Sequence, residues 1–498
     1  MEKYNLKMEN YFTEEISTRV MEMDFQLTED KKALDQLEAA RTGMSWYSGG
    51  VYGISLQVFS IIQNVLKITG VVALLLLHAP VLFVVSIVII VFSSSLNNHK
   101  NRIEIASFRK LSRLNRVFGY LSWELVDFRY GKDIRLYDAK DMMITKWNAY
   151  SDECLNQWKW MVNREIPLDL LKTFCDAAKH FCTYMYLGIL VISGKITIGV
   201  FSQMLSVSST FHNAMQGLIT NIQELVKRTG YAYDYVKFMH YPPAIKKGTR
   251  PVLDQPHTIE FRNVSFIYPN SDKKVLDHVN LTLHPGEHLS IVGLNGAGKT
   301  TFIKLLCRLY DTTDGEILLD NVDIREYDYN EYISLFSPVF QDFKLFGFSL
   351  RENIVLDHDC TEQNFLALLA QIGLKQNADT ILFKFFDEHG LEPSGGEQQK
   401  IAIARALFKR APVVILDEPT AALDPFAEYD IYRHFNTLIG NKTAVYISHR
   451  LSSCKFCDRI AVFSEGCVKE YGTHEELVKK TGGIYAELFN AQAQYYNN

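Results

Sequence analysis

Proline is scarce in this chain, 13 in 498 residues, and four of them crowd into one stretch as Pro242, Pro243, Pro251 and Pro256. That cluster, with Gly248 and several charges among it, reads as a linker over 241–257. Net charge is also small, −5, so bulk electrostatics give no reason to expect a nucleic-acid partner. The eight cysteines follow no framework spacing, which excludes a disulfide scaffold. Cys454-Lys455-Phe456-Cys457 is a C-x-x-C without a partner pair and reads as structural. The first residues are polar and mixed in charge, unlike a cleaved signal peptide. The length calls for two or more domains.

Apolar length is what the N-terminal half does have. After a charged, amphipathic helical stretch at residues 1–49, Val51 to Leu77 is long enough to span a bilayer. His78-Ala79-Pro80 reads as a turn, and Val81 to about Asn97 as a second span. A third must start near Thr173 to include Phe181 to Ile192, and a fourth runs from Ile196 to about Ile222 after the turn Ser193-Gly194-Lys195. Lys100, Arg102, Arg109, Lys110, Arg113 and Arg116 lie in the long segment between spans, which the positive-inside rule places in the cytosol with both termini.

Polar residues recur on single faces of these spans: Gln57, Ser60, Asn64 and Lys67; Asp169, Lys172, Asp176 and Lys179; and Ser202, Ser206, Ser209, Asn213, Gln216 and Thr220. Such stripes are expected to face a bundle interior or an aqueous cavity. The serine-rich stripe fits helix packing equally well. Asp169 and Lys172 are expected in the cytosol, Asp176 and Lys179 within the span, with Lys67 and Asp176 as an expected pair.

The C-terminal half opens with alternating strand patterns at Thr258. Gly293-Leu294-Asn295-Gly296-Ala297-Gly298-Lys299-Thr300 fits G-x-x-x-x-G-K-[ST], between an apolar strand and a helical run starting at Thr301. In that setting glycines let backbone N–H groups wrap phosphates, Lys299 reaches the β- and γ-phosphates, and the Thr300 hydroxyl suits Mg²⁺. Val413 to Leu416 is a buried strand running into Asp417 and Glu418. Asp417 is placed to hold Mg²⁺ through water and Glu418 to polarise an attacking water. Ser394-Gly395-Gly396-Glu397 precedes a helix and reads both as a phosphate-approach site and as a capping box. Gln341 and His449 are weak signals alone.

Together, in this order and spacing, these residues resemble the ATP-binding cassette of ABC transporters over Thr258 to about Leu488. The resemblance implies that Tyr268 stacks on adenine and that Gly293 to Thr301 is the Walker A loop. It implies a Q-loop at Gln341, the signature at Ser394 to Glu397, a catalytic base at Glu418, a D-loop at Asp424 and an H-loop at His449. It further implies ATP and Mg²⁺ as ligands and two cassettes packed head to tail.

The N-terminal half resembles the exporter type, with a membrane domain at 1–240 fused ahead of the cassette at 258–498. Asp127 to Arg135 is similar to an intracellular coupling segment of that type. The expected architecture is therefore an all-α transmembrane domain of about four spans followed by an α/β P-loop NTPase. The expected protein is a multi-pass half-transporter in the cell membrane, with its cassette in the cytoplasm and a second half as homodimer or heterodimer partner. The expected function is ATP-driven export of a solute, lipid or peptide by alternating access.

Two departures stand out. Six spans are usual, and residues 1–49 are similar to the segment after the family's second span, so the first two spans are missing from the count. The signature usually begins with Leu and has Gln fifth, where this chain has Pro393 and Glu397. A non-transporting remnant or a heterodimer subunit is the alternative. A soluble ABC ATPase acting on DNA or ribosomes, and an importer component, are disfavoured by the spans and by the fusion. The sequons at Asn263, Asn280 and Asn441 fall in the half expected in the cytosol and are discounted.

Overall fold

A computed structural model describes residues 2–44, 50–124, 130–356, 358–417, 439–447 and 451–496. The chain forms two compact units, Met1–Thr18 with Gln36–His240, and Arg19–Asp35 with Tyr241–Asn498. The second unit thus takes in an N-terminal segment that lies well ahead of the proline-rich linker.

The chain opens with helices α1 (Glu2–Glu22), α2 (Phe25–Thr28) and α3 (Lys31–Met44). The long helices α4 (Gly50–His78) and α5 (Pro80–Gly119) follow. Only Ala79 separates them, with Pro80 at a first helical position, where the missing N–H costs nothing. After α6 (Gly131–Leu136), helices α7 (Lys140–Ile192) and α8 (Ile198–Met239) complete the first unit. Thr197 caps α8 by accepting a hydrogen bond from Val200 N, and Gly194 makes the preceding turn at φ 69°. Buried Leu75, Leu82, Ile90, Leu187, Met204 and Phe211 form the core of this bundle.

By length and composition, Gly50–His78 and Pro80–Glu104 are long and apolar enough to cross a membrane. Among the described residues these are the two helices that meet that measure; the other two expected spans lie in the C-terminal part of α7 and the N-terminal part of α8, each within a longer helix, and do not meet it because polar and charged residues interrupt their apolar runs. Leu66, Leu77, Val88 and Val91 are each more than 60% exposed. In water that surface would be costly; facing acyl chains it is not. Of the polar stripes, Lys179 is buried and Gln57, Ser60, Asn64 and Asp176 half-buried, while Lys67 is exposed. The fourth-span stripe faces mostly outward, with Ser202, Ser206, Asn213 and Thr220 exposed, because the inward face of α8 is the neighbouring one that carries buried Ser208 and His212. The expected Lys67–Asp176 pair is replaced by Asp176 against His212, 3.4 Å apart, because α8 rather than α4 brings a basic group to that turn of α7. Asp169, as an exposed group, pairs with Lys100 at 2.9 Å.

The second unit carries two sheets. The smaller is antiparallel, β1 (Ile259–Ile267), β2 (Lys274–Leu283), β4 (Asp314–Leu319) and β5 (Val322–Asp323) in the order β2-β1-β4-β5. The larger contains β3 (His288–Val292), β6 (Phe336–Val339), β7 (Val413–Asp417), β8 (Thr443–Ile447), β9 (Arg459–Ser464) and β10 (Cys467–Gly472) in the order β10-β9-β3-β8-β7-β6. Its strands from β9 to β6 run parallel, and β10 is antiparallel to β9. β7 and β8 are buried at every position, as strands covered on both faces must be, which is why they read as unbroken apolar runs.

Helix α9 (Lys299–Leu306) follows β3 and bridges the sheets: Phe302 stacks on Phe261 at 4.3 Å and meets Phe463 edge-on at 5.5 Å. Helices α10 (Tyr329–Ser334), α11 (Leu350–Val355), α12 (Glu362–Ile372) and α13 (Gly395–Lys409) follow. The last three share a core of their own around Leu350, Phe365, Leu369 and Ile401.

Candidate functional site

Parallel strands put their C-terminal ends on one edge of a sheet, where ligands of open α/β sheets bind. Ile291, Ile447 and Asp417 are level in register across β3, β8 and β7, and Val339 of β6 is level with Leu416. The loop after β3, Asp417 at the end of β7 and Gln341 just beyond β6 therefore leave the sheet on the same edge. β8 separates the first two, so their strands are about 10 Å apart.

The loop is shaped by its glycines. Gly293 has φ 150°, and a Cβ there would lie 2.2 Å from Phe463 O. Gly298 has φ 100°, and a Cβ there would meet Leu276 Cδ2 at 2.5 Å and Val275 O at 3.0 Å. Both positions need glycine for the conformation and for the space. Asn295 and Gly296 are exposed at the tip of the loop. Lys299, only 6% exposed, donates to Gly293 O at 2.8 Å and Leu294 O at 3.1 Å, which holds its ammonium across the loop. Thr300 is exposed and Thr301 buried in the first turn of α9. A helix N-terminus adds its own partial positive charge here.

Tyr268, just past the end of β1, is half-buried. Its hydroxyl lies 3.0 Å from Thr301 Oγ1, which ties the aromatic expected under the base to the loop expected around the phosphates. Its ring meets Phe266 and Tyr310 edge-on at 4.9 and 5.3 Å. Lys304 Nζ is 5.6 Å from the Tyr268 centroid, 5.7 Å from that of Tyr310 and 5.4 Å from that of Phe25. Glu29 is 3.4 Å from Lys304 and accepts a hydrogen bond from Tyr310, whose hydroxyl is pushed well above its ordinary pKa, first by burial and then by Glu29. Sequence reasoning missed Phe25, Glu29, Lys304 and Tyr310. The available signal was the pair of acids of N-cap type, Asp24 and Asp30, interrupting the N-terminal helix, although Asp24 makes no capping bond of its own.

Ser394 is the N-cap of α13, with Gly395 and Gly396 in its first turn. The capping box is complete: Ser394 N and Oγ donate to Glu397 Oε2 at 2.9 and 2.8 Å, and Glu397 N donates to Ser394 Oγ at 3.4 Å. Gln376 Nε2 donates to the other carboxylate oxygen at 2.6 Å. The backbone N–H of Ser394, ahead of its hydroxyl, holds the Glu397 carboxyl below the ordinary glutamate range. The side chain is turned back onto its own cap. Asp417 is fully buried and Gln341 exposed. Glu418, Asp424 and His449 lie outside the described residues, as do Asp127 to Arg129 of the expected coupling segment.

Residues 276–421 match the ABC transporter family model. The chain belongs to the ABC transporter family. Similar proteins include the subtilin transport ATP-binding protein SpaT of Bacillus subtilis, 35% identical over 74% of this chain and 62% of the relative. An ATP-dependent lipid A-core flippase of Paraburkholderia xenovorans is 32% identical over 78% of this chain and 66% of the relative. The chain thus spans a little under two thirds of the length of these relatives. Its fold is similar to that of a bacterial Atm1-family ABC exporter solved with ATP bound, with a TM-score of 0.81 at 21% identity over 99% of this chain and 86% of the other. This ABC transporter chain therefore joins a helical N-terminal region to an ATPase domain of ABC type, and that domain binds ATP.

Proposed function

We propose that the chain is one half of an ATP-driven exporter, a multi-pass membrane protein that pairs with a second half and couples ATP binding and hydrolysis to export of a solute, lipid or peptide. The supporting observation is the shared sheet edge: phosphate loop, Asp417 and Gln341 emerge together, in a chain whose N-terminal helices carry exposed apolar surface.

In this reading Tyr268 carries adenine, and Gly293, Asn295, Gly296, Gly298 and Lys299 wrap the phosphates with Thr301 behind them. Lys299 is already held across the loop by two carbonyls, so little ordering remains to be done on binding. Thr300, Gln341 and Asp417 are oxygen donors of the kind Mg²⁺ prefers, and Asp417 is deeply placed. Bound there, Mg²⁺ would neutralise charge on the β- and γ-phosphates. Glu418, next in the chain after Asp417, accepts the proton of the attacking water, and His449 orients the γ-phosphate. Ser394, Gly395 and Gly396 meet the ATP held by the partner's loop, and Asp424 lines the same interface. Closing of two cassettes on ATP and reopening after hydrolysis would drive alternating access of the helical halves.

The test is ATPase activity and ATP-dependent accumulation in inverted vesicles, for the chain and for Glu418→Gln. Hydrolysis and accumulation both lost in the variant support coupling. Extraction of the chain without detergent would overturn the membrane assignment.

A further inference from the structure

Within the helical unit, Lys179 of α7 and His212 of α8 are each only 3% exposed. Among the described residues of that unit, Lys179 is the one buried lysine. His212 Nε2 lies 3.4 Å from Asp176 Oδ1, three residues before Lys179 on the same face of α7. The contact does not satisfy the group: Asp176 Oδ1 and His212 Nδ1 are buried without a hydrogen-bond partner, as is Gln216 Nε2 one turn along α8. Buried polar atoms are normally paired, and ionisable side chains inside an apolar bundle are expensive, so this group calls for a partner.

The chemistry of that partner follows from the inventory. Lys179 and the amide of Gln216 supply donors, His212 supplies one at Nε2 and a second at Nδ1 when the ring is protonated, and Asp176 supplies the one carboxylate. Two half-buried or exposed basic side chains, Lys172 and His180, stand beside them on α7. A cation entering here would meet like charge. An apolar group would leave the polar atoms orphaned. An anionic oxygen group supplies the acceptors and offsets the basic excess.

We propose that Lys179, His212 and Gln216 bind an anionic oxygen group of the exported molecule, a carboxylate or a phosphate, and that Asp176 is the resting counter-ion this group displaces. The proposal rests on the export reading above. Two sources carry this chemistry, the C-terminus of a peptide and the headgroup of a lipid.

The experiment uses the full chain in dodecyl maltoside. Four probes are titrated and binding is followed by thermophoresis: phosphatidylglycerol, phosphatidylcholine, hexa-alanine as free acid, and its C-terminal amide. Phosphatidylglycerol binding at least about tenfold tighter than phosphatidylcholine assigns the lipid source, and the free acid over the amide by the same margin assigns the peptide source, the scale of a charged hydrogen bond. Lys179→Met and His212→Gln should each erase most of that preference, and Asp176→Asn should tighten acid binding several-fold. His212→Gln carries the test should Lys179→Met fail to fold. The proposal is overturned if neither pair of probes shows a preference for the acid, if the preference survives in all variants, or if Asp176→Asn weakens binding as Lys179→Met does. ATP affinity measured on the same samples separates the readings: loss of ATP binding with the acid preference intact would sink the ATPase role alone.

Discussion

Glu397→Gln isolates what the unusual fifth position of the proposed signature does. The carboxylate sits in the first turn of α13, where a helix N-terminus welcomes negative charge. Opposite a triphosphate the same charge would repel. The structure decides between these roles by orientation, since both oxygens are engaged, one by the Ser394 N–H and hydroxyl and the other by Gln376. Gln in its place keeps the shape and loses the charge, so the expected loss is one cap or dipole contribution, about 0.5–1 kcal/mol. For a domain of this size that is a fall of about 1–4 °C in the cassette's melting temperature. ATPase activity should change by less than about tenfold, a smaller effect than loss of a positioned catalytic group. The sign with pH follows from the lowered carboxyl pKa. The stabilisation is present above the unfolded glutamate value of about 4.3 and is lost as pH falls through the lower folded value. The gap in melting temperature between wild type and variant should be steady at neutral pH and close below about pH 4. A large rise in ATPase activity with no fall in melting temperature would refute this, because it would mean that Glu397 faces the nucleotide.

Lys299→Ala should abolish ATP binding in a nucleotide titration, and unchanged affinity would remove the phosphate-loop assignment. Tyr268→Ala should weaken ATP binding by about 1–2 kcal/mol, the scale of an aromatic contact, with little change for inorganic triphosphate. Glu418→Gln and His449→Ala should each keep ATP binding, lower turnover by at least about 10²-fold and trap the closed cassette dimer with ATP; near-normal hydrolysis in Glu418→Gln would point to another base. Asp24→Ala should destabilise the cassette unit by about 2 kcal/mol or more, because the buried carboxylate accepts Ala244 N at 2.7 Å and Ile245 N at 3.0 Å and both donors would be orphaned. An unchanged melting temperature in that variant would show that water replaces the carboxylate.

The phosphate loop was legible because its chemistry is local. Glycine conformations, the lysine and the following helix all fall within one short stretch, and β7 declares burial by the unbroken apolar run Val413 to Leu416. The capping box at Ser394 and Glu397 was legible for the same reason. Partners across helices were not. Spacing put Asp176 and Lys179 on one face of α7, but which helix supplies the opposite charge depends on how the bundle packs, and His212 carries no local mark that distinguishes it from any other histidine. Spans three and four were harder to bound for a related reason, since α7 and α8 continue beyond their apolar parts without a break in helical pattern.

The segment Arg19–Asp35 shows where periodicity alone misleads. Residues 1–49 have the charge and spacing of amphipathic helix, and most of the described part is helical. The departure is confined to a few residues. Asp24 leaves the helix with ψ 137°, α2 lasts four residues, and α3 starts at Lys31. Helical continuity is exchanged there for tertiary bonds: Asp24 on two linker N–H groups, Phe25 edge-on to Tyr310 at 5.9 Å, and Glu29 on Tyr310 and Lys304. Each bond ends on the linker or on the aromatic group around Tyr268. An isolated helix could not form them, so no scale of helix propensity predicts the break. The physical reason lies in long-range pairing, and its consequence is specific. The side chains around Tyr268 come partly from far upstream in the chain, as the Glu29–Lys304 ion pair, 275 positions apart, shows. Removing that segment should therefore loosen Tyr268, the proposed adenine partner, before it disturbs the glycine-rich loop, whose own contacts run from Lys299 to Gly293 and Leu294.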